Sequence, residues 1–212
     1  MALYTTIHGK TSAEIEAKKS RFIANLAHVS TEEEALAFLE GVRAENRMAR
    51  HNVYAYILHG ATPEQPTERT RYSDDGEPQK TAGLPTLEVL KGANLSDVIC
   101  VTTRYFGGVL LGTGGLVRAY TQAVQAAIAS AQLLEISKCV DVRVKTAYAN
   151  FGKLEHLAST CGAKQQECTY AADISATYRM LAGSEVAFLK GLQALERGSE
   201  NVEVSKPFEA AF

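Results

Sequence analysis

The segment from Asp97 to Tyr120 constrains the fold more than any other, because a β-branched apolar run empties into five glycines and then into an amphipathic repeat. Val98 to Thr103 predicts a strand. Val117, Tyr120, Val124, Ile128 and Ala131 recur at helical spacing, with Arg118, Gln122, Gln125 and Gln132 on the other side. Between them, Gly107, Gly108, Gly112, Gly114 and Gly115 can offer bare backbone amides at a helix N-terminus, where the macrodipole favours an anion. The same glycines equally serve tight turns and close strand-to-helix packing. Their spacing leaves both readings open.

Two familiar phosphate signatures do not fit. The only Gly-Lys-Thr, Gly9 to Thr11, has Tyr4 where a P-loop needs its upstream glycine. A dinucleotide fingerprint needs G-x-G-x-x-G with an acid about 20 residues on, yet Gly112 to Gly115 read G-T-G-G and an Ala- and Gln-rich helix follows. NAD is not expected on that pattern, and no cofactor is assigned.

An upstream polar run, R-Y-S-D-D-G-E-P-Q-K-T-A-G-L-P at Arg71 to Pro85, precedes T-R-Y-F-G-G-V-L-L-G-T-G-G-L-V-R-A-Y at Thr103 to Tyr120. The two together resemble the IMPACT/YigZ family, in which an S-D-D-G-E-P-x-x-T-A-G-x-P loop leads through a short helix and strand into the second motif. The resemblance runs from Lys18 to Ala127. It implies an α+β chain whose N-terminal domain is like the second domain of ribosomal protein S-five, a GHMP-kinase-like two-layer sandwich. It also implies a C-terminal ferredoxin-like domain similar to modules of the translocase EF-G. Eukaryotic members of the family restrain a starvation-activated kinase through its ribosome-associated activator. The implied partners are therefore the ribosome, RNA or a translation factor, in the cytoplasm.

The second domain follows from the residues as well. Cys139 to Thr146 alternates Val140, Val142 and Val144 against Asp141, Arg143 and Lys145, a half-buried strand. Tyr148 to Cys161 is helical in spacing and stops at Gly162. Lys164 to Tyr170 and Ile174 to Leu181 read as strands, Ser184 is placed to cap a helix bearing Val186, Leu189, Leu192 and Leu195, and Asn201 to Ser205 supplies a last strand. This β-α-β-β-α-β order is the split ferredoxin-like unit. The boundary is expected near residues 135 to 138, giving domains 1–137 and 138–212.

Upstream, Leu3 to His8, Ala13 to Ala17, Ser20 to Val29 and His51 to His59 are expected strands. Thr31 with Glu34 forms a capping box for a helix reaching Ala49. Residues 61 to 72, with Pro63, Pro66 and several charges, read as an exposed loop, and Pro85 suits the first turn of a short helix that stops at Gly92.

Composition bounds the rest. The chain has 212 residues, 46% hydrophobic, enough for ordinary cores without covalent staples. No apolar run approaches the roughly 18 residues of a membrane span, and the first residues lack the pattern of an export signal. Cys100, Cys139, Cys161 and Cys168 stand 39, 22 and 7 residues apart with no C-x-x-C, which argues against zinc and against a disulfide framework. Residues 1 to 137 carry 13 basic and 15 acidic side chains, and the remainder nine of each, so neither part is basic overall. A local patch is the most that RNA binding could use. Arg43, Arg47 and Arg50 at i, i+4 and i+7 form an expected stripe on the first helix.

Asp74, Asp75 and Glu77 place three carboxylates within four residues. They could hold a hard cation or supply an acid–base pair. They could equally accept backbone amides in an Asx-type turn, or pair with Arg71 and Arg104. His51 and His59, eight residues apart on one strand, are separated by roughly 26 Å and share no metal. No metal site and no catalytic residue is assigned. The expected site is a ligand or partner cleft built from two loops. Arg71, Ser73, Asp74, Asp75, Gly76, Glu77, Thr81 and Gly83 come from the first, and Arg104, Tyr105, Phe106, Gly107, Gly108, Gly112, Gly114, Gly115 and Arg118 from the second. The resulting expectation is a non-enzymatic regulator of translation. The alternatives are a small enzyme acting on a phosphorylated ligand, and a scaffold with protein partners alone. The sequence leaves the oligomeric state open.

Overall fold

Residues 2–60, 67–196 and 202–212 are described by a computed structural model, in which the chain separates into two compact units. One comprises Tyr4–Leu134, the other Met1–Leu3 with Glu135–Phe212.

The first unit runs β1 (Tyr4–Ile7), β2 (Lys10–Ala17), β3 (Ser20–His28), α1 (Glu32–Glu45), β4 (His51–Leu58), β5 (Arg69–Ser73), α2 (Gly83–Gly92), β6 (Val98–Tyr105) and α3 (Thr113–Ala129). Five strands form one sheet in the order β2-β3-β6-β4-β5, every adjacent pair antiparallel. The central strand β6 and its neighbour β4 are buried along almost their whole length, so each needs cover on both faces. Phe22, Ala24, Leu26, Val53, Ala55, Ile57, Val98 and Cys100 point to one side and meet α2 and α3 through Leu87, Leu90, Leu116, Tyr120 and Val124. Alternate residues Ala27, Tyr54, Tyr56, Leu58, Ile99 and Val101 point to the other and meet Ala35, Leu39 and Val42 of α1. Helices therefore cover both faces of this α+β unit, because these strands are apolar on both.

Local signals act where the sequence puts them. Thr31 Oγ1 accepts the Glu34 N–H at 3.2 Å, while the Glu34 carboxylate reaches back to the Ser30 N–H at 2.7 Å, one residue before the reciprocal partner of a standard capping box. α1 ends at Glu45, short of Ala49, where Asn46 folds its own N–H and side-chain amide onto the Val42 carbonyl. Residues 69–72, the end of the expected loop 61–72, form with Ser73 the edge strand β5 on β4. Residues 61–66 of that loop lie outside the described residues.

The second unit runs β7 (Leu133–Thr146), α4 (Tyr148–Thr160), β8 (Lys164–Tyr170), β9 (Ile174–Leu181), α5 (Glu185–Glu196), β10 (Val202–Val204) and β11 (Phe208–Ala211). β7 begins six residues before the expected Cys139, and the chain passes from one unit to the other within it. The strand order β10-β7-β9-β8 is antiparallel throughout, with β11 also on β7, and it matches the split β-α-β plan. Val140, Val142, Val144, Ala176, Tyr178 and Met180 pack against Leu154, Ala158, Phe188 and Leu192 of the two helices. Ser184 does not cap α5 with an accepting oxygen; its hydroxyl donates to the Leu181 carbonyl.

Candidate functional site

The Ser73–Gly83 segment is a loop held from within by its own acids. Asp74 Oδ1 accepts the N–H groups of Ala82 at 3.0 Å and Gly83 at 2.8 Å, and Oδ2 accepts that of Lys80 at 2.8 Å. Those amides open α2, whose N-cap position is Ala82 and carries no capping oxygen. Asp74 supplies that cap from upstream. Asp75, in the left-handed region at φ +44°, accepts the Asn52 N–H at 2.6 Å and an Arg43 N–H at 3.0 Å. Its carbonyl accepts the Nδ1–H of His51 at 2.9 Å, which places the ring proton on Nδ1. Ser73 Oγ accepts the Asp75 N–H, and Thr81 is buried with its hydroxyl on the Pro78 carbonyl. At Gly83 a Cβ would stand 2.6 Å from the Ser73 carbonyl oxygen, so glycine is required by close approach.

Glu77 joins this loop to the second motif. Its Oε1 accepts Arg104 Nη1 at 2.7 Å and the Tyr120 hydroxyl at 2.9 Å, and the two charged side chains are only 4% and 7% exposed. Burial, then the Glu77 carboxylate, pushes the Tyr120 phenol well above the usual tyrosine range. The Arg104 guanidinium lies between the rings of Phe22 and Phe106, at 5.4 and 5.6 Å from their centroids, and its buried Nε has no hydrogen-bond partner. Ser20 Oγ accepts the Gly107 N–H at 3.1 Å and lies 3.5 Å from Arg104 Nη2. At Gly107 a Cβ would fall 2.0 Å from the Lys19 backbone, so the loop can cross there only as glycine.

Both motifs thus meet, but without a wall of free acids facing guanidinium groups. Asp74, Asp75 and Glu77 are spent on backbone amides, Arg43 and Arg104. Arg71 is directed elsewhere: on β5 it pairs with Glu32 at 3.0 Å, which the Tyr56 hydroxyl first and Arg71 second hold below the usual carboxylate range. The basic stripe does not form either. Arg43 pairs with Glu40 and Asp75, while Arg47 and Arg50 lie beyond the end of α1. Tyr105 donates to Asn46 Oδ1 at 2.8 Å, joining the end of β6 to the segment after α1. Among the described residues, no group of three or more His, Cys, Asp or Glu is placed to hold a metal.

What stays open is the loop from Phe106 to Gly112 and the first turn of α3. Phe106, Val109 and Leu110 are exposed, as are Gly108, Gly112 and Gly114. Gly112 is the N-cap at φ +73° and offers no side-chain cap. At Gly114 a Cβ would meet only Arg118 Nη1, at 3.7 Å, whereas at Gly115 it would meet Leu111 at 2.9 Å. Packing accounts for Gly115 and not for Gly114. The sequence groups Lys18 with Lys19 and Arg21 as a basic cluster on a strand edge. Lys18 and Lys19 form the β2–β3 turn, both at positive φ, and Lys18 Nζ donates to the Leu110 carbonyl at 3.4 Å.

A profile of the Impact N-terminal domain matches residues 18–128, which contain both motifs and this loop. The chain belongs to the IMPACT family. Its similarity to the IMPACT family member YigZ of Escherichia coli is 37% identity over 184 residues, 87% of this chain and 89% of that protein. The IMPACT homolog of Dictyostelium discoideum is 36% identical over 107 residues, 48% of this chain and 29% of that protein. Among solved structures, a crystal structure of a hypothetical protein superposes with a TM-score of 0.61 at 34% identity, covering 96% of this chain and 97% of the other. Similarity thus extends over most of the chain for a bacterial relative and over about half of it for a eukaryotic one.

Proposed function

We propose that this chain is a non-catalytic regulator of translation that binds ribosomal particles or a translation factor through the Phe106–Arg118 surface. One observation carries the reading: each of the three carboxylates a phosphoryl- or metal-dependent reaction would use already holds a helix cap, a loop or a buried arginine. Beside them Phe106, Val109, Leu110, Gly112, Gly114 and Arg118 face solvent. Gly114 supports the same view. Glycine is less favourable than alanine in a helix by up to about 1 kcal/mol, and no neighbour demands it here, so its effect is to leave the first-turn amides of α3 uncovered beside Arg118. Family membership supplies the translational context, since the eukaryotic members act on a ribosome-associated pathway. The charge balance, with no excess of basic residues in either part, disfavours RNA as the sole partner.

The test is cosedimentation of the chain with ribosomal particles from growing cells at low and high salt. Retention that Arg118→Ala reduces and Asp74→Asn leaves intact is the expected result. Absence of the wild-type chain from every ribosomal fraction, or metal-dependent turnover of a phosphorylated compound that Asp74→Asn abolishes, would sink the reading.

A further inference from the structure

Three large apolar side chains stand on the surface within five consecutive residues: Phe106 is 56% exposed, Val109 41% and Leu110 81%. Exposed apolar clusters of this kind mark interaction sites more often than single exposed side chains do. The loop is also held in shape. Gly107 is wedged against the Lys19 backbone and donates to Ser20, Phe106 lies on the buried Arg104 guanidinium, and Lys18 reaches the Leu110 carbonyl. An ordered apolar loop loses little conformational entropy on binding, which is where preorganised contacts gain affinity.

The rim fixes the chemistry of what fits. Lys18, Lys19 and Arg118 are exposed and have no carboxylate partner among the described residues. Two nearby acids are engaged: Glu14 pairs with Arg21 at 2.8 Å, and Glu77 is buried on Arg104. Basic residues around an apolar centre would suit nucleic acid as well as protein. The centre decides between them. Unpaired bases are gripped by stacking on aromatic faces; the centre has a single ring, Phe106, which already lies against the Arg104 guanidinium, and Val109 and Leu110 have none, whereas aliphatic side chains are what another protein's apolar residues pack against.

We propose that the Phe106–Leu110 loop docks a protein segment whose apolar residues are flanked by carboxylates, with Lys18, Lys19 and Arg118 reading the flanks. This rests on the binding role proposed above and names the chemical class of the partner. The experiment places a photoreactive phenylalanine analogue at position 110, irradiates growing cells and maps the crosslinked residues. The mapped sequence is then synthesised as a probe peptide, beside a version with its acids replaced by lysine, and both are titrated against wild type and Val109→Ser/Leu110→Ser. The expected results are an adduct on an apolar, acid-flanked protein segment, roughly tenfold weaker binding of the lysine version, and a similar loss in the double variant. Because both substituted side chains are exposed, the variant should keep the wild-type melting temperature. An adduct on RNA, an adduct on a basic segment, no adduct, or equal binding by the double variant would each overturn the proposal. Loss of ribosomal cosedimentation with the acid-flanked adduct still formed would overturn the translational reading instead.

Discussion

A carboxylate and a guanidinium taken out of water offset their desolvation only while each holds the other, and Glu77 and Arg104 stand in that position at 2.7 Å. Glu77→Ala would leave the guanidinium buried beside Phe22 and Phe106 with its Nε already unpartnered. The expected loss is about 3–5 kcal/mol, read as a lower urea midpoint at unchanged slope. Tyrosines set the alkaline limit of stability. The Tyr56 phenol is pushed up to about 12 by burial and then by its hydrogen bond to Glu32, and Tyr120 and Tyr178 are raised for similar reasons. A phenol raised above its unfolded value of about 10 adds stability that is whole below pH 10 and is lost as pH climbs toward 12. Urea midpoints should therefore fall across that interval, less steeply in Tyr56→Phe. Equal slopes for wild type and variant would show that the Tyr56–Glu32 contact does not govern it.

At the scale of elements, α2 is begun by a side chain outside it. Asp74→Ala removes three hydrogen bonds to the amides of Lys80, Ala82 and Gly83. The expected result is about 1–2 kcal/mol of lost stability and faster hydrogen exchange at those three positions before exchange rises elsewhere. Two of the five glycines in the second motif should part company. Gly107→Ala drives a Cβ into the Lys19 backbone and should unfold the β2–β3 turn and the loop together, whereas Gly114→Ala has room and should raise the melting temperature slightly while weakening any partner that uses the α3 amides. This contrast also shows what the sequence could express. Helical periodicity located α3, with Leu116 and Ala119 buried in place of the partly exposed Val117, and Thr31 with Glu34 marked the start of α1. β5 was hidden because its side chains are mostly exposed and it is held by backbone pairing to β4, which leaves no apolar alternation to read. β11 escaped notice for the same reason. Within the site, Arg104 with Glu77 was among the pairings the motif suggested. Arg71 was misdirected, because its partner Glu32 lies 39 residues away on a helix whose facing strand no local pattern specifies.

On the scale of the whole molecule, the buried apolar residues among those described form three clusters, each drawn from one unit. The two clusters on either side of the five-stranded sheet draw only on residues from Ile7 to Ala131, and the third draws on Val140 to Val202. Cooperativity follows shared burial, so each unit should lose its packing on its own. Phe188 is fully buried in the third cluster, edge-on to Tyr178 at 5.6 Å between ring centroids, and Phe188→Ala should destabilise that unit by about 3–5 kcal/mol through lost transfer energy and the cavity left behind. Glu77→Ala should act on the other unit alone. Urea titrations followed by hydrogen exchange, which separates the units residue by residue, would show Phe188→Ala shifting amides of β7 to β9 while those of β3, β4 and β6 stay within about 0.5 kcal/mol of wild type, and the reverse pattern for Glu77→Ala. If either substitution shifted both sets equally, folding would be a single transition, and a partner bound at the Phe106–Leu110 loop would stabilise the second unit as strongly as the first. If the sets move separately, binding at that loop should protect the first unit and leave the second free to open.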